Sequence, residues 1–345
     1  MAGFPVLRAL SVVLFAYVFV TLFLGSRAQN WLQDVFHHND RVFNQLEEDH
    51  TRRLGAQELK FPTVYALGDI HGDFNNAIEV LSFAGLVSDD EERHWTGGNS
   101  ILVQTGDIVD RGPDTRKIFA WMNTLAAEAE QVGGAVIRLL GNHEFMNARG
   151  DWRYVHPGDI ESYPEPSIQH RTKDWQAHGE IGSLLLSSYN ITYFEKQTRS
   201  HFMHAGLSRH WAKHESEIND LGNRLLELFM ARESIPNKYM TFWQSDGPMW
   251  YRGHANLPDE AACKNVKEIL RIIDADRVIM GHTPQLPGIR QRCDGKIILI
   301  DTGLSSAYSG AKAILRLEQD EEYVVASAVY ADRAELLSKT KKGQL

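Results

Sequence analysis

Cysteine is nearly absent, with Cys263 and Cys293 the only two in 345 residues. Two are too few for a disulfide scaffold or a four-cysteine zinc site, and the sequence leaves open whether they pair. No run of Lys and Arg occurs, nor any basic stretch interleaved with aromatics. With a net charge of -9, this argues against nucleic acid as a partner. There is no internal repeat or low-complexity tract, so neither a solenoid nor a compositionally biased chain is in question. Charge is missing altogether from residues 9–26, which are dense in Leu, Val and Phe and flanked by Arg8 and Arg27. Such a stretch fits a minimal membrane span, while Ser26-Arg27-Ala28 offers signal-peptidase spacing before Gln29. Residues 1–28 therefore read either as a signal-anchor helix or as a cleaved signal peptide. Both readings send the chain into the secretory pathway, to the endoplasmic reticulum or vacuole lumen, with membrane attachment if the segment is kept. The sequon Asn190-Ile191-Thr192 is consistent with that route.

What remains is ordinarily globular, and at 39.1 kDa the chain can bury a substantial α/β core. Residues 29–61 are polar, with Trp31, Val35, Val42, Phe43 and Leu46 spaced for an amphipathic juxtamembrane helix or a solvated linker. A catalytic domain is expected over residues 62–335, followed by a polar tail over 336–345.

The chemistry concentrates in three loops. Apolar runs at 64–67, 100–104 and 135–140 read as buried strands. They end respectively in Gly68-Asp69-Ile70-His71-Gly72-Asp73, in Gly106-Asp107-Ile108-Val109-Asp110-Arg111-Gly112, and in Gly141-Asn142-His143-Glu144. One Gly-Asp after a strand is ordinarily a turn. Three in succession have another explanation, because parallel strands bring their end loops to one edge of a sheet, and Asp, Asn and His there supply oxygen and nitrogen ligands. The economical reading is a two-metal site.

The intervening segments support βαβ units. Asp73 can cap a helix carrying Ala77, Ile78, Leu81 and Ala84 on one face, and Ile118, Met122, Leu125, Ala126 and Ala129 repeat at helical spacing. Residues 150–182 show loop signals, Pro157, Gly158, Pro164 and Pro166, with Trp152, Tyr154, Tyr163 and Trp175. They read as an insertion beside the site, either shaping a pocket for a ring or forming a satellite core. His204 and His282 each end a further apolar run, with helices expected near 217–230 and over Ala262, Val266, Ile269, Leu270 and Ile273. Residues 297–300, 313–317 and 323–329 make a β-rich finish. His201 is not expected to be a ligand, while His156 and His170 lie in the insertion, within possible reach of a substrate.

The three loops in this order resemble the phosphoprotein phosphatase family of calcineurin-like metallophosphoesterases, over residues 64–317. Residues 141–154, Gly247-Pro248-Met249-Trp250-Tyr251-Arg252 and Asp301-Thr302-Gly303-Leu304-Ser305 are similar to the Shewanella-like branch. The resemblance implies an α/β metallophosphoesterase fold in four layers, central β-sheets flanked by helices, with a di-metal site at strand-end loops. It implies that Asp69, His71 and Asp107 hold one divalent ion (Mn, Fe or Zn), while Asp107, Asn142, His204 and His282 hold the other. A metal-bound hydroxide would attack phosphorus directly. No Cys-x5-Arg loop offers a covalent route, since Ile269 and Leu299 stand six residues after the cysteines.

By the same resemblance His143 is the general acid and Asp110 orients it, while Arg111 and Asn142 bind phosphate. Arg252, outside the three motifs, is the candidate second clamp. The implied substrate is a phosphoprotein or phosphopeptide, with tyrosine or serine/threonine phosphomonoesters, and the alternative is an endopolyphosphatase or dinucleoside polyphosphatase using the same site. No regulatory subunit is indicated by any of these residues.

Overall fold

The computed structural model describes residues 61–343. The expected leader over 1–28 and nearly all of the 29–61 segment lie outside the described residues. Among the described residues no helix is long and apolar enough to cross a membrane.

Strand β1 (Val64–Leu67) shows how the layers arise. Successive side chains of a strand point to opposite faces. Val64 and Ala66 accordingly join one buried cluster, while Tyr65 and Leu67 belong with the other. The alternation repeats in β2 (Ile101–Gln104), where Val103 and Leu102 divide in the same way, and in β6 (Arg277–Met280), where Ile279 and Val278 do. The first cluster lies between two sheets packed face to face, and the second lies under helices. The result is a helix–sheet–sheet–helix arrangement, the four layers expected.

The first sheet has the order β11-β10-β9-β1-β2-β3. Its β1, β2 and β3 (Ala135–Arg138) are parallel and in register, so that Leu67, Gln104 and Arg138 finish side by side. Strands β9 (Ile314–Gln319), β10 (Tyr323–Val329) and β11 (Ala334–Lys341) extend it antiparallel. The second sheet has the order β4-β5-β6-β8-β7, with β4 (Thr192–Glu195), β5 (Ser200–Met203), β7 (Arg290–Arg292) and β8 (Ile297–Leu299). Here β5 and β6 are parallel, with Met203 opposite Met280, which places the loops carrying His204 and His282 next to each other.

Crossover helices follow the expected pattern. Helix α1 (Phe74–Phe83) starts where the Asp73 carboxylate accepts the Asn76 N–H at 3.1 Å. Helix α2 (Thr115–Gln131) buries Ile118, Met122 and Leu125. Two expectations need correction. The polar tail at 336–345 is largely strand, because residues up to Lys341 pair with β10 as an edge strand whose outer positions are exposed and hence polar. The loop-rich stretch at 150–182 holds short helices α4 (Pro157–Glu161), α5 (Ser167–Asp174) and the start of α6 (Glu180–Ser188), which follow α3 (Asn142–Ala148). Two of its aromatics are buried structural groups: Trp175 joins the helix-side core, edge-on to Phe119, and Tyr163 donates its hydroxyl to Asp174. Tyr154 alone of the four lines the cavity described next.

Cys263 and Cys293 pair, their Cα atoms 5.2 Å apart. Helix α7 (Ile218–Ala231) packs on α3 and α6, and α8 (Asp259–Ile273) buries Ala262, Val266, Ile269 and Leu270 in the cluster that holds Val278 and Met280 of β6. The disulfide ties α8 to the turn beyond β7.

Candidate metal centre

The site is assembled by backbone first. The Asp107 carbonyl accepts the N–H groups of Ile70 at 3.0 Å and His71 at 2.9 Å, which locks the first loop to the second. Glu144 locks the second to the third. Its carboxylate accepts from Gly141 N at 2.7 Å, Asp107 N at 3.0 Å and Ile108 N at 2.8 Å. Those amides are buried, and without Glu144 each would lose its partner at a cost of about 1–3 kcal/mol. Sequence reasoning assigned Glu144 no role, although its place in the third loop marked it. His71, Asp107, Asp110, Arg111 and His282 all adopt positive φ, between 48° and 70°. Such backbone is costly for these residues and persists where surrounding structure overdetermines it.

Two glycines keep space open. A Cβ on Gly141 would lie 2.1 Å from Asp107 Oδ1, and one on Gly281 would lie 2.2 Å from Asp69 Oδ1. Both carboxylates therefore sit in cradles that any other residue would fill.

Asp107 is at the centre. Its Oδ2 lies 3.9 Å from His71 Nε2, 3.4 Å from His204 Nε2 and 3.8 Å from His143 Nε2. His71, Asp107 and His143 present ligand-type atoms within 4.8 Å of one another, and so do Asp107, His204 and His282. Asp69 completes the ring, with both carboxylate oxygens 3.1 Å from His282 N.

The donor set fits metal ions on its own chemistry. His71 Nδ1 donates to the Val109 carbonyl and His204 Nδ1 to that of Thr105, each at 2.9 Å, so in the neutral rings both Nε2 lone pairs face inward. His204 Nε2 then meets Asn142 Oδ1 at 2.9 Å, two acceptors aimed at one point that a cation would satisfy. Both ring nitrogens of His282 are buried without a partner, an arrangement native proteins avoid unless an ion or water fills it. Burial, then the neighbouring Asp301 and Asp107, push the Asp69 carboxyl well above the usual range. Burial also drives His71 down to about 4 and His282 well below its ordinary value, so both rings are neutral, as ligand imidazoles must be.

His143 differs. Its Nδ1 is 2.5 Å from Asp110 Oδ2, which leaves Nε2 free to face the cavity. Burial alone would lower this imidazole, but the Asp107 charge and the Asp110 hydrogen bond outweigh it and push it up to about 9. Arg111 reaches in between two rings, with Tyr154 at 4.3 Å and Tyr308 at 5.6 Å. Arg252 stands nearby, its Nη1 donating to the His282 carbonyl at 2.7 Å and to Thr283 Oγ1 at 3.0 Å.

Asp69, His71, Asp107, Arg111, Asn142, His143, Arg252 and His282 all line one cavity of about 140 Å³, with His204 and Asp110 directly behind. A larger cavity of about 590 Å³, between α2 and α6, holds none of them. Tyr154, Trp250, Asp301 and Tyr308 complete the lining. His156 and His170 do not reach the cavity: His156 caps α4 and His170 bonds the Pro164 carbonyl at 2.8 Å. His201 is buried against Glu215, away from the metal-ligand cluster.

The calcineurin-like phosphoesterase signature matches residues 62–286, most of the described chain. The chain belongs to the calcineurin-like phosphoesterase family. Such phosphoesterases use a di-metal site, and the buried His and Asp groups above are this member's candidates for it. An uncharacterised Schizosaccharomyces pombe protein is 58% identical over 79% of this phosphoesterase and 82% of its own length. Shewanella-like protein phosphatase 1 of Plasmodium berghei is 31% identical over 70% of this chain and 67% of its own. Among solved structures, a cold-active protein-tyrosine phosphatase from a psychrophilic Shewanella aligns over 81% of each chain, with 27% identity and a TM-score of 0.68. A symmetrical bis(5'-nucleosyl)-tetraphosphatase of Serratia proteamaculans is 25% identical over 76% of this chain and 93% of its own.

Proposed function

We propose that this phosphoesterase is a metal-dependent phosphoprotein phosphatase that hydrolyses phosphomonoesters of tyrosine or of serine and threonine. The observation that carries the reading is the cation inventory of the cavity, in which Arg111 and Arg252 are the only Lys or Arg side chains among the described residues. Two guanidiniums suit a single phosphoryl group, whereas a polyphosphate or dinucleoside tetraphosphate needs further cations for its remaining phosphates. Tyr154, Trp250 and Tyr308 furnish apolar ring faces around that phosphoryl position, suited to a tyrosine leaving group.

Asp69, His71, Asp107, Asn142, His204 and His282 would hold two divalent cations, drawn from Mn, Fe or Zn. When bound, these supply Lewis-acid charge and make water acidic enough to serve as a nucleophile near neutral pH. The rest falls to the chain. Arg111, held between its two tyrosine rings, and Arg252, held on the His282 carbonyl, orient the phosphoryl oxygens. Asn142 turns its amide oxygen towards the metal-ligand cluster. His143 carries the proton that the departing oxygen takes, and Asp110 fixes its ring so that Nε2 faces that oxygen.

The second reading, a polyphosphatase or dinucleoside polyphosphatase, has the tetraphosphatase relatives in its favour. Full-length protein reloaded with manganese, given phosphotyrosine peptide, phosphoserine peptide and chain-length-defined polyphosphate side by side, separates the two. Faster turnover of a peptide is expected, and faster turnover of polyphosphate would overturn the proposal.

We place the catalytic unit in the lumen of the secretory system. Support comes from the uncharged stretch at 9–26, from the Cys263–Cys293 pair and from the exposed sequon residue Asn190. Protein from a eukaryotic host should shift in mobility on N-glycosidase treatment, and Asn190→Gln should abolish the shift. An unglycosylated wild type would count against a lumenal location.

A further inference from the structure

Behind His143 runs a buried polar chain that the reading above does not use. Asn147, one turn further along α3, donates from Nδ2 to Asp110 Oδ1 at 2.9 Å and to the His143 carbonyl at 3.0 Å. Its Oδ1 accepts from Arg171 Nη2 at 2.7 Å. Arg171 lies on α5 with 0% of its surface exposed, and its Nε donates to Asp159 Oδ2 on α4 at 2.8 Å. The ring of Trp152 lies 4.5 Å from its guanidinium carbon and that of Trp175 lies 5.4 Å away. A desolvated arginine is tolerated only when paired, and Asp159 and the Asn147 carbonyl supply the pairing.

The order of these bonds has one polarity. Arg171 can only donate, so the Asn147 carbonyl must face it. The amide N–H2 then has to face Asp110. With Asp110 Oδ1 thus occupied, Oδ2 is the oxygen left for His143 Nδ1, the 2.5 Å contact. If Arg171 were lost, the Asn147 oxygen would be left without its donor, and the amide would be held only by its bonds to Asp110 and the His143 carbonyl.

We propose that Asn147 and Arg171 are positioning residues for protonation of the leaving oxygen. On this view the helical insertion at 157–174 sets the orientation of the Asp110–His143 pair. The inference rests on the reading of His143 as the proton donor, and the test is built to tell a failure of one from a failure of the other.

Leaving groups separate positioning from mere structural support. An acidic nitrophenol departs with little need of a proton, whereas phenol or a serine hydroxyl departs poorly without one. Asn147→Asp is isosteric, keeps the acceptor for Arg171 and removes the N–H to Asp110. Arg171→Met combined with Asp159→Asn removes the arginine without stranding a buried carboxylate. In full-length protein, each should lower kcat on phenyl phosphate and phosphoserine peptide by about 10- to 100-fold, a fraction of the roughly 10²- to 10⁴-fold that general acid catalysis contributes. The fall on p-nitrophenyl phosphate should be far smaller, with KM little changed in all cases. In metal-free wild-type protein the short Nδ1–H bond should also give a far-downfield imidazole proton in NMR, absent in His143→Asn and moved upfield in Asn147→Asp.

His143→Asn is the reference. If it shows no dependence on leaving group, the reading of His143 fails and this inference falls with it. If it shows a steep dependence while folded Asn147→Asp loses turnover equally on all substrates, or not at all, or leaves the downfield proton unmoved, the positioning role alone is overturned.

Discussion

Asp107→Asn should abolish hydrolysis and strip the protein of metal, while leaving it folded. Asp107 Oδ2 is approached by three imidazole Nε2 atoms at 3.4–3.9 Å, so its negative charge is the hub of the donor set. The bond from His143 N to Oδ1 at 2.9 Å survives in an amide, and the main-chain carbonyl that holds the first loop is untouched. Stability of the metal-free form should change little: against burial, His204 and His143 hold the Asp107 carboxyl well below the usual range, an attraction the amide loses. Burial, then the neighbouring Asp301, then Asp107 itself make Asp69 hard to ionise, and removing Asp107's charge relieves part of that strain. If Asp107 serves both proposed cations, losing its charge would remove several kcal/mol of transition-state stabilisation, a fall in kcat on the order of 10³. Metal analysis of purified protein, turnover and a melting curve measured without metal check the three claims together. Stoichiometric metal with near wild-type turnover would sink the assignment of Asp107 as the shared ligand.

His143→Asn should spare metal binding and still cost about 10²- to 10⁴-fold in kcat on substrates with poor leaving groups. Its signature is in the pH profile. A general acid must hold its proton, so activity is present below the pKa of His143 and lost as pH rises through it. Without metals, the nearby Asp107 and Asp110 outweigh burial and raise that pKa to about 9. Cations on Asp107 cancel the larger of those two charges. The alkaline limb of the loaded enzyme is therefore expected between the ordinary value of about 6.5 and 9, still lifted by Asp110. The asparagine variant should be flat through that interval. An alkaline limb that persists in the variant would assign it to another group.

The parts of the site legible in the sequence are those that a single loop carries. Asp69 and His71, Asp107 with Asp110 and Arg111, and Asn142 with His143 stand close together in the chain, at strand ends that parallel pairing sets side by side. His204 and His282 were also visible, because each ends its own buried strand. What escaped was contact across long separations. Tyr308 stacks on a residue 197 positions earlier in the chain, and no spacing announces that. Arg171 was hidden for another reason. It sits in short, proline-broken helices without a face of regular period, so the segment read as loop, and a buried arginine looks in sequence like any exposed one. Strand β11 reads as a tail in the sequence because an edge strand facing solvent has little apolar alternation to show.

The pairing of Cys263 with Cys293 has a consequence at a distance from either sulfur. The two cysteines bracket a segment that contains β6 and, beyond it, His282, so this ligand rides inside a covalently closed ring. Opening a ring of this size typically forfeits about 2–4 kcal/mol, chiefly by widening the unfolded ensemble. The segment within the ring is the one that carries His282 to Asp69 and supplies the carbonyl that anchors Arg252. If His282 holds metal as proposed, reduction and metal removal would each weaken the same folded state, and a reducing medium and a chelator should act on this protein as allies.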